Sequence, residues 1–254
     1  MNDLFSVEDR VVLITGSSRG LGYTFARGFA RAGATVIISS RSEENVEKAV
    51  DSIRSEGGRA EGYPFDVSDR ANVVEQIEKI QKDLGKIDVL INNAGIHRRA
   101  PLEQLTEEEW TEVIDVNLNS VFIVSKNVAL GMIDRKQGKI INISSLNSWG
   151  SRPTIANYCA SKGGLNALTR SMATEWGKYN IQSNAIAPGY FITDLNKPLV
   201  EDPQFDEWVR REVPLGRWGD PEELVGTAIY LASRASDYVN GHVVFVDGGW
   251  SACL

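Results

Sequence analysis

Tyr158 and Lys162 form a pair whose residue types and spacing could support acid–base chemistry. On a helix, residues four apart project from one face, so both side chains could reach a common ligand. A phenol with a reference pKa of about 10 is a poor base near neutral pH, but a neighbouring ammonium favours the phenolate and lowers that pKa. We therefore expect Tyr158 to act as a general acid or base while Lys162 supplies the positive charge.

A glycine-rich segment near the N-terminus, TGSSRGLG at residues 15–22, has the composition of a phosphate-binding turn. It follows an apolar run and opens a predicted helix, so its backbone N–H groups would converge on an anion. Gly16 would permit a tight turn, Gly20 the close approach of a pyrophosphate and Gly22 the close packing of helix on strand, although the spacing differs from G-x-G-x-x-G. The alternative is a plain tight turn between strand and helix.

About 20 residues further on, the chain carries Ser39-Ser40-Arg41, where NAD sites usually place an acid that binds both ribose hydroxyls. No carboxylate is present there to repel a 2′-phosphate. Arg19 and Arg41 could each donate charge-assisted hydrogen bonds to such a phosphate, each worth roughly 1.5–3 kcal/mol. We therefore predict NADP as the cofactor, with NAD as the second candidate; solvated arginines on a surface turn are the alternative interpretation.

The elements that must position these groups alternate along the chain. Short runs rich in β-branched residues are separated by longer segments with helical spacing, which is typical of a parallel sheet with crossover helices on both faces. The predicted strands are residues 11–15, 35–39, 60–65, 87–92, 139–144, 181–187 and 242–246. Helices are predicted to begin near Gly20, Glu43, Ser68, Thr106, Ile155 and Pro221. This pattern predicts an α/β fold: a single doubly wound domain of seven strands across residues 1–254.

One segment, between Pro188 and Asp220, does not follow that pattern. It contains several prolines, acids and two tryptophans without a clean periodicity. Connections of this length are uncommon unless they are functional or disordered. We expect a substrate lid within residues 190–219, with an irregular surface connection as the alternative.

Composition excludes several classes of partner. The net charge of −7 opposes binding to nucleic acid. Two cysteines and two isolated histidines offer no zinc spacing, so we expect no metal, and the free thiols suit a reducing compartment. The start, MNDLFSVEDR, has the features of neither a signal peptide nor an anchor, so we expect a cytoplasmic protein without membrane contact.

The order of the motifs resembles that of the classical short-chain dehydrogenase/reductases, from the glycine turn almost to the C-terminus. The matching residues are the glycine turn, Asp66-Val67, Asn92-Asn93-Ala94-Gly95, Asn117, Ser145, the pair Tyr158 and Lys162, and Pro188-Gly189 followed by Thr193. The resemblance implies a Rossmann-type sheet of seven parallel strands and hydride transfer between a nicotinamide cofactor and a carbonyl or secondary alcohol.

Carried over residue by residue, the resemblance implies roles for this chain's side chains. Asp66 and the backbone of Val67 would hold the adenine, Lys162 the nicotinamide ribose, and Ser145 the substrate oxygen, while Asn117 would hold a water linked to the lysine. The catalytic set is Asn117, Ser145, Tyr158 and Lys162. The cofactor set is Gly16, Ser18, Arg19, Gly20, Leu21, Gly22, Ser40, Arg41, Asp66, Val67, Asn93, Ala94, Gly95, Tyr158, Lys162, Pro188, Gly189, Phe191 and Thr193.

A basic cluster after the Asn-Asn-Ala-Gly motif, IHRRAP at residues 96–101, suggests an anionic substrate. This stretch looks most like the gluconate 5-dehydrogenase and 2-deoxygluconate 3-dehydrogenase branch of the family, whose members act on sugar acids. By that likeness Arg98, Arg99 or Arg152 could pair with a substrate carboxylate beside Ser145 and Tyr158. The alternative for each arginine is a solvated or subunit-facing position.

Two other functions are compatible with the same motifs. A 3-oxoacyl-carrier-protein reductase would use the same catalytic set and present basic residues to an acidic carrier. A cofactor-binding module that senses the nicotinamide redox state without turnover is the non-enzymatic alternative, against which the intact catalytic set argues. The family resemblance further implies a homotetramer.

Overall fold

Apolar, β-branched runs form the strands because a parallel sheet covered by helices is buried on both faces. The computed structural model describes residues 3–193 and 196–253. Within that part of the chain the strands are β1 (Val11–Thr15), β2 (Thr35–Ser39), β3 (Arg59–Gly62), β4 (Val89–Asn92), β5 (Gly138–Ile143), β6 (Ile181–Pro188) and β7 (Val243–Val246). They form one parallel sheet in the order β3-β2-β1-β4-β5-β6-β7. The strand order reverses between β1 and β4, where open α/β sheets bind their ligands.

Helices cover both faces of this sheet. The described helices are α1 (Gly20–Arg31), α2 (Glu43–Ser55), α3 (Arg70–Leu84), α4 (Glu107–Ile114), α5 (Ser120–Arg135), α6 (Ala156–Trp176), α7 (Lys197–Val200), α8 (Pro203–Glu212) and α9 (Val225–Ala232). One core packs α1, α2 and α9 against one face, and a second packs α3, α5 and α6 against the other. Successive β1 residues, Ile14 and Leu13, enter opposite cores because strand side chains alternate between faces. The predicted doubly wound fold with seven parallel strands is confirmed.

Some predicted boundaries were wrong by a few residues. The third strand ends at Gly62 and not at 65, although the backbone N–H groups of Tyr63 and Phe65 still donate to the carbonyl oxygens of residues 38 and 40. Helix α3 begins at Arg70 and not near Ser68, because the Asp69 side chain accepts the N–H groups of residues 71 and 72.

The helix starts predicted near Thr106 and Pro221 are both capped. Thr106 Oγ1 accepts from the Glu109 N–H, and the Glu109 side chain accepts from the Thr106 N–H, which together form a capping box. Asp220 caps a 3-10 turn, Pro221–Leu224, and the α-helical part begins only at Val225. The single helix predicted across this segment is therefore divided.

One helical stretch in the described residues, Glu107–Arg135, is long and apolar enough to cross a membrane, with a mean hydropathy of 1.3. It consists of α4, a π-helical turn at Asp115–Asn119 and α5. Its α5 part packs against the sheet and beside α3, as core helices of globular proteins do. Length and composition alone are therefore weak support for a membrane span.

The segment 190–219 contains more order than its sequence suggests. It forms α7 and α8, and apolar residues from it, including Tyr190, Val209 and Trp218, pack together against Leu146. Two residues of the predicted lid, Asp194 and Leu195, lie outside the described residues. The segment therefore covers the loop that follows β5, which carries Ser145.

Candidate active site

A cavity of about 1160 Å³ opens at the carboxyl ends of the central strands. Nearly all of the predicted site residues line it: Gly16, Ser18, Arg19, Gly20, Leu21, Ser40, Arg41, Asp66, Val67, Asn93, Ala94, Gly95, Arg98, Arg99, Ser145, Arg152, Tyr158, Lys162, Pro188, Gly189, Phe191 and Thr193. Gly22 and Asn117 are not among the lining residues. A cavity of this volume has room for a dinucleotide and a small substrate together.

The glycine turn has the shape that a phosphate requires. Gly16 adopts φ +64°, and Gly20 adopts φ +57° with open space where a side chain would begin. Gly22 instead packs inward, since an added Cβ would lie 2.4 Å from the Gly16 carbonyl oxygen. The turn thus leaves backbone accessible at Gly20 and is closed from behind at Gly22, which fits an anion at the start of α1.

The Asn93 side chain holds this turn against β4. Its Nδ2 donates to the carbonyl oxygens of Thr15 and Gly16 at 3.0 and 3.1 Å, and Thr15 Oγ1 accepts the backbone N–H groups of Asn93 and Ala94. The Asn93 side-chain amide is therefore engaged in holding the glycine turn. The residue therefore lines the cavity chiefly through its backbone.

Ser40 and the exposed Arg41 lie at the end of β2, across the cavity rim from the exposed Arg19. Neither guanidinium forms an ion pair with an acid in residues 3–193 or 196–253. The turn that brings them together is held by Ser17, whose hydroxyl accepts the Ser39 N–H at 3.0 Å. Two unpaired cations therefore lie where a 2′-phosphate would approach.

Helix α6 presents Tyr158 and Lys162 on one face, as their spacing predicts. Lys162 Nζ lies 5.6 Å from the centre of the Tyr158 ring and donates to the Ile143 carbonyl oxygen at 2.7 Å. Ser145 follows β5 by two residues and lines the same cavity, where its hydroxyl accepts the Asn147 N–H. The three side chains meet because the end of β5 lies beside the start of α6.

The electrostatics of this group differ from the expectation. Burial raises the pKa of Tyr158, and this outweighs the hydrogen bond with Ser145 and the charge of Arg99, which both lower that pKa. Burial also lowers the pKa of Lys162 to about 8, since the buried side chain disfavours its own charge. The predicted lowering of the phenol pKa is therefore wrong, because removal of Tyr158 from water dominates.

Asn117 lies in the π-helical turn between α4 and α5 and not in a continuous α-helix. Its side chain is buried, accepts the Ile96 N–H at 2.8 Å and donates to the Ile96 carbonyl and to Ser161 Oγ. An added Cβ at Gly95 would lie 3.3 Å from Asn117 Oδ1 and 3.8 Å from Lys162 Nζ. Asn117 therefore supports the loop and helix around Lys162 from behind the cavity.

The three candidate arginines have different surroundings. Arg98 donates to Glu112 at 2.6 Å, so its charge is already paired. No carboxylate in the described ranges lies within ion-pair distance of Arg99 or Arg152. Burial and the nearby Arg152 lower the pKa of Arg99. The structure therefore separates Arg98, which is paired with Glu112, from Arg99 and Arg152, which lie near each other and have no acid within ion-pair distance in the described residues.

Arg152 is held by aromatic rings of the segment 190–219. Its guanidinium carbon lies 4.5 Å from the centre of the Phe205 ring, 5.3 Å from Trp208 and 5.9 Å from Tyr190. Its Nη1 donates to the Tyr190 hydroxyl at 3.4 Å. Stacking on aromatic faces leaves the other N–H groups of the guanidinium available to a planar anion. Arg152 thus connects the cavity with α8.

His97 is a site residue that sequence reasoning missed, since its isolation from other ligands was the ground for setting it aside. Its ring stacks on that of Tyr158, with centroids 3.7 Å apart and 24° between the planes. The available signal was its position two residues after Gly95, within the loop that was expected to approach the active site. Other lining residues that were missed include Ile96, Leu146, Asn147, Tyr190, Asn196 and Leu199, and the acids Glu107, Glu108, Glu112 and Asp115.

Comparison with known proteins decides the family. The family model described as enoyl-(acyl carrier protein) reductase matches residues 16–251. A 5-keto-D-gluconate 5-reductase from Escherichia coli is 49% identical over 249 residues, which cover 98% of each chain. The protein belongs to the short-chain dehydrogenase/reductase family. The resemblance inferred from the motifs is thereby confirmed.

Other members of the short-chain dehydrogenase/reductase family are similarly close. A gluconate 5-dehydrogenase from Gluconobacter oxydans is 47% identical over 252 residues, covering 99% of this chain and 98% of the relative. The crystal structure of a gluconate 5-dehydrogenase from Burkholderia cenocepacia, in complex with NADP and tartrate, superposes with a TM-score of 0.97. That structure is 48% identical and covers 99% of each chain.

Proposed function

We propose that the protein is an NADP-dependent oxidoreductase that interconverts a secondary alcohol and a ketone on a sugar acid such as gluconate and 5-keto-gluconate. The observation that carries this proposal is that Arg99 and Arg152 line the cavity of Tyr158 and have no carboxylate within ion-pair distance in the described residues. Two neighbouring cations without an acid partner repel each other unless an anion binds between them. A substrate carboxylate supplies that anion and places the rest of the chain against the phenol.

The bound cofactor would supply or accept the hydride. In ketone reduction Tyr158 donates its phenolic proton to the carbonyl oxygen, and in alcohol oxidation it accepts the hydroxyl proton. Burial raises the pKa of Tyr158, so the phenol stays protonated, which is the form that ketone reduction needs. Ser145 bonds the same substrate oxygen and so fixes its direction.

Lys162 completes the proposed catalytic set together with Asn117. A pKa of about 8 lets Lys162 exchange a proton close to neutral pH, and it would contact the nicotinamide ribose from the floor of the cavity. Asn117 would hold the water that returns this proton to solvent. Its bonds to Ile96 and Ser161 keep it behind Lys162.

The residues present fit a phosphorylated dinucleotide. The turn at Gly16 and Gly20 offers backbone to the pyrophosphate, and Asp66 and Val67 would hold the adenine. Arg19 and Arg41 would bind the 2′-phosphate. Support comes from the similar Burkholderia cenocepacia structure, which contains NADP.

Arg99 and Arg152 have no acid partner in the described residues, whereas Arg98 is paired with Glu112, and this difference supports a sugar acid as substrate. The tartrate in the Burkholderia cenocepacia complex is a hydroxylated carboxylate, and the Escherichia coli relative is named for 5-keto-D-gluconate. A charge-assisted hydrogen bond to a carboxylate contributes roughly 1.5–3 kcal/mol, or about tenfold to a hundredfold in affinity. Arg99 and Arg152 should each contribute on that scale, whereas Arg98 should not.

The test measures the near-ultraviolet absorbance of NADPH while the purified protein is incubated in turn with 5-keto-D-gluconate, neutral sugars, polyols and a short 3-oxoacyl thioester. We expect reduction of the sugar acid, a KM about tenfold or more higher in Arg99→Ala and Arg152→Ala, and a nearly unchanged KM in the matched control Arg98→Ala. Turnover confined to the thioester would replace the sugar-acid proposal with an acyl reductase. Cofactor binding without any turnover would indicate a redox sensor.

We also propose a cytoplasmic homotetramer with a lid in the segment 190–219. Large apolar side chains that are half exposed on α5, Phe122 at 50% and Leu130 at 57%, support burial in an assembly. The contact of Arg152 with Phe205 and Trp208 supports a lid that responds to substrate. Light scattering that gives four chain masses is the expected result, and one chain mass would exclude the assembly.

A further inference from the structure

His97 covers one face of the proposed proton donor. The 3.7 Å stack brings the imidazole within van der Waals contact of the Tyr158 phenol, and both rings line the same cavity. A substrate oxygen that reaches the Tyr158 hydroxyl must therefore place its neighbouring carbons close to His97. The imidazole is positioned to contact substrate beside the reacting carbon.

The two ring nitrogens of His97 differ in their surroundings. Nδ1 is buried and has no hydrogen-bond partner. Nε2 also forms no hydrogen bond within the described residues, but unlike Nδ1 it is not buried. It is therefore open to the cavity. A buried N–H without an acceptor costs more free energy than a buried ring nitrogen whose lone pair has no donor. The proton of the neutral ring therefore belongs on Nε2, where it is a donor toward the cavity.

The charges around His97 keep this donor neutral. Burial, Arg99 and Lys162 all lower the pKa of His97, to about 4. A carboxylate would choose the charged guanidinium groups of Arg99 and Arg152 over a neutral imidazole N–H. A substrate hydroxyl, which can accept a hydrogen bond without carrying charge, is the group that suits Nε2.

We infer that His97 is a specificity-determining residue: its Nε2–H bonds a hydroxyl next to the reacting carbon, and so the site selects ketones whose neighbouring carbons are hydroxylated. This inference rests on the proposed function and deepens it. A substrate without that hydroxyl leaves the donor unpaired beside the phenol, which lowers its kcat/KM relative to the hydroxylated substrate. The stack on Tyr158 is a separate contribution that any planar ring can make.

The experiment compares two six-carbon keto acids that share a carboxylate and a ketone at the fifth carbon, 5-keto-D-gluconate and 5-oxohexanoate, of which the second has no hydroxyls. In His97→Phe the ring stack is kept and the donor is lost. We expect kcat/KM for 5-keto-D-gluconate to fall about tenfold while that for 5-oxohexanoate changes less than about twofold. His97→Gln keeps an N–H donor, so it should restore most of the wild-type ratio between the kcat/KM values for 5-keto-D-gluconate and 5-oxohexanoate.

The outcomes separate the two proposals. An equal loss on both substrates in His97→Phe would assign His97 to positioning Tyr158 and overturn its role in selection, as would an unchanged ratio. A wild-type protein that reduces neither keto acid would overturn the proposed function and this inference with it. NADPH affinity and the melting temperature of each variant show that the fold and the cofactor site are intact.

Discussion

Asn166 Nδ2 donates a hydrogen bond of 2.8 Å to Ser148 Oγ and so ties the helix of Tyr158 to the turn of Ser145. The other end of the same amide accepts from Ser144 Oγ at 2.7 Å. Ser148 Oγ in turn donates to the Ser145 carbonyl at 2.6 Å. Asn166 lies one helical turn beyond Lys162, so its side chain links the turn of Ser145 to the helix of the acid–base pair.

Replacing Asn166 should therefore reduce turnover without removing the cofactor site. In Asn166→Ala the Ser144 hydroxyl loses its acceptor, and the Ser148 hydroxyl loses its donor but keeps its bond to the Ser145 carbonyl. We therefore expect kcat to fall between about tenfold and a hundredfold and stability to fall by about 1–3 kcal/mol. Stopped-flow or steady-state reduction together with urea unfolding measures both. Asn127→Ala removes a comparable amide, which donates to Ile123 on α5, and should leave kcat unchanged. Equal kcat values in the two variants would contradict the positioning role.

Cofactor choice should depend on the two rim arginines. Because Arg19 and Arg41 have no acid partner in the described chain, each is free to bind a 2′-phosphate. We expect Arg41→Ala and Arg19→Ala each to raise the KM for NADP about tenfold to a hundredfold and to leave the KM for NAD nearly unchanged. NAD kinetics on the same preparations are the internal control. Wild-type protein that uses both cofactors with equal efficiency would exclude the preference for NADP.

The glycine turn should tolerate no side chain at Gly22. An added Cβ would lie 2.4 Å from the Gly16 carbonyl oxygen and 2.5 Å from Asn93 Nδ2, so the turn and its support must both move. We expect Gly22→Ala to weaken NADPH binding at least tenfold and to cost about 1–3 kcal/mol of stability. Fluorescence titration and thermal unfolding measure the two effects.

A second helical glycine provides the control for Gly22. At Gly226, in α9, an added Cβ meets nothing within 4 Å. Gly226→Ala should therefore bind NADPH like the wild type and gain up to about 1 kcal/mol of stability, because alanine restricts the unfolded chain. Similar behaviour of the two variants would show that the close contact at Gly22 is unimportant.

Stability in mild acid should depend on His97. Burial and nearby cations lower its pKa from 6.5 to about 4, so between these values the unfolded chain binds a proton that the folded protein does not. The stabilisation is complete above pH 6.5 and is lost as the pH falls toward 4, by roughly 3 kcal/mol in total. Urea unfolding of His97→Phe should therefore show a shallower decline across this range. Parallel curves for wild type and variant would contradict the buried neutral imidazole.

Local sequence patterns were sufficient for most of the fold. The strand at Val11–Thr15 and the capping box at Thr106 were predictable because burial on both faces and helix capping depend on neighbouring residues. The end of β3 was not predicted, since it depends on how far this edge strand stays in register with β2. The order in segment 190–219 was also missed, because its apolar residues pack against Leu146 and not along one regular helix face.

Within the candidate site, sequence spacing predicted which side chains are neighbours on the same helix. It did not predict contacts between side chains of different helices and loops. Tyr158 and Lys162 share a helix face whatever surrounds that helix. Arg98 and Arg99 are equivalent by composition, yet the first is paired with Glu112 on α4 and the second is left near Arg152. Which arginine keeps its charge available could not be decided without the neighbouring helix.

The sequence by itself determined the alternation of strands and helices, the glycine turn and the Tyr158–Lys162 spacing, because each of these depends on residues close along the chain. Tertiary structure alone decided that His97 stacks on Tyr158, that Asn166 bridges to Ser148, and that burial raises the phenol pKa although a lysine is nearby. These contacts join segments that are 18 to 61 residues apart, and desolvation depends on everything packed around a group. Their chemistry therefore exists only once the chain has folded.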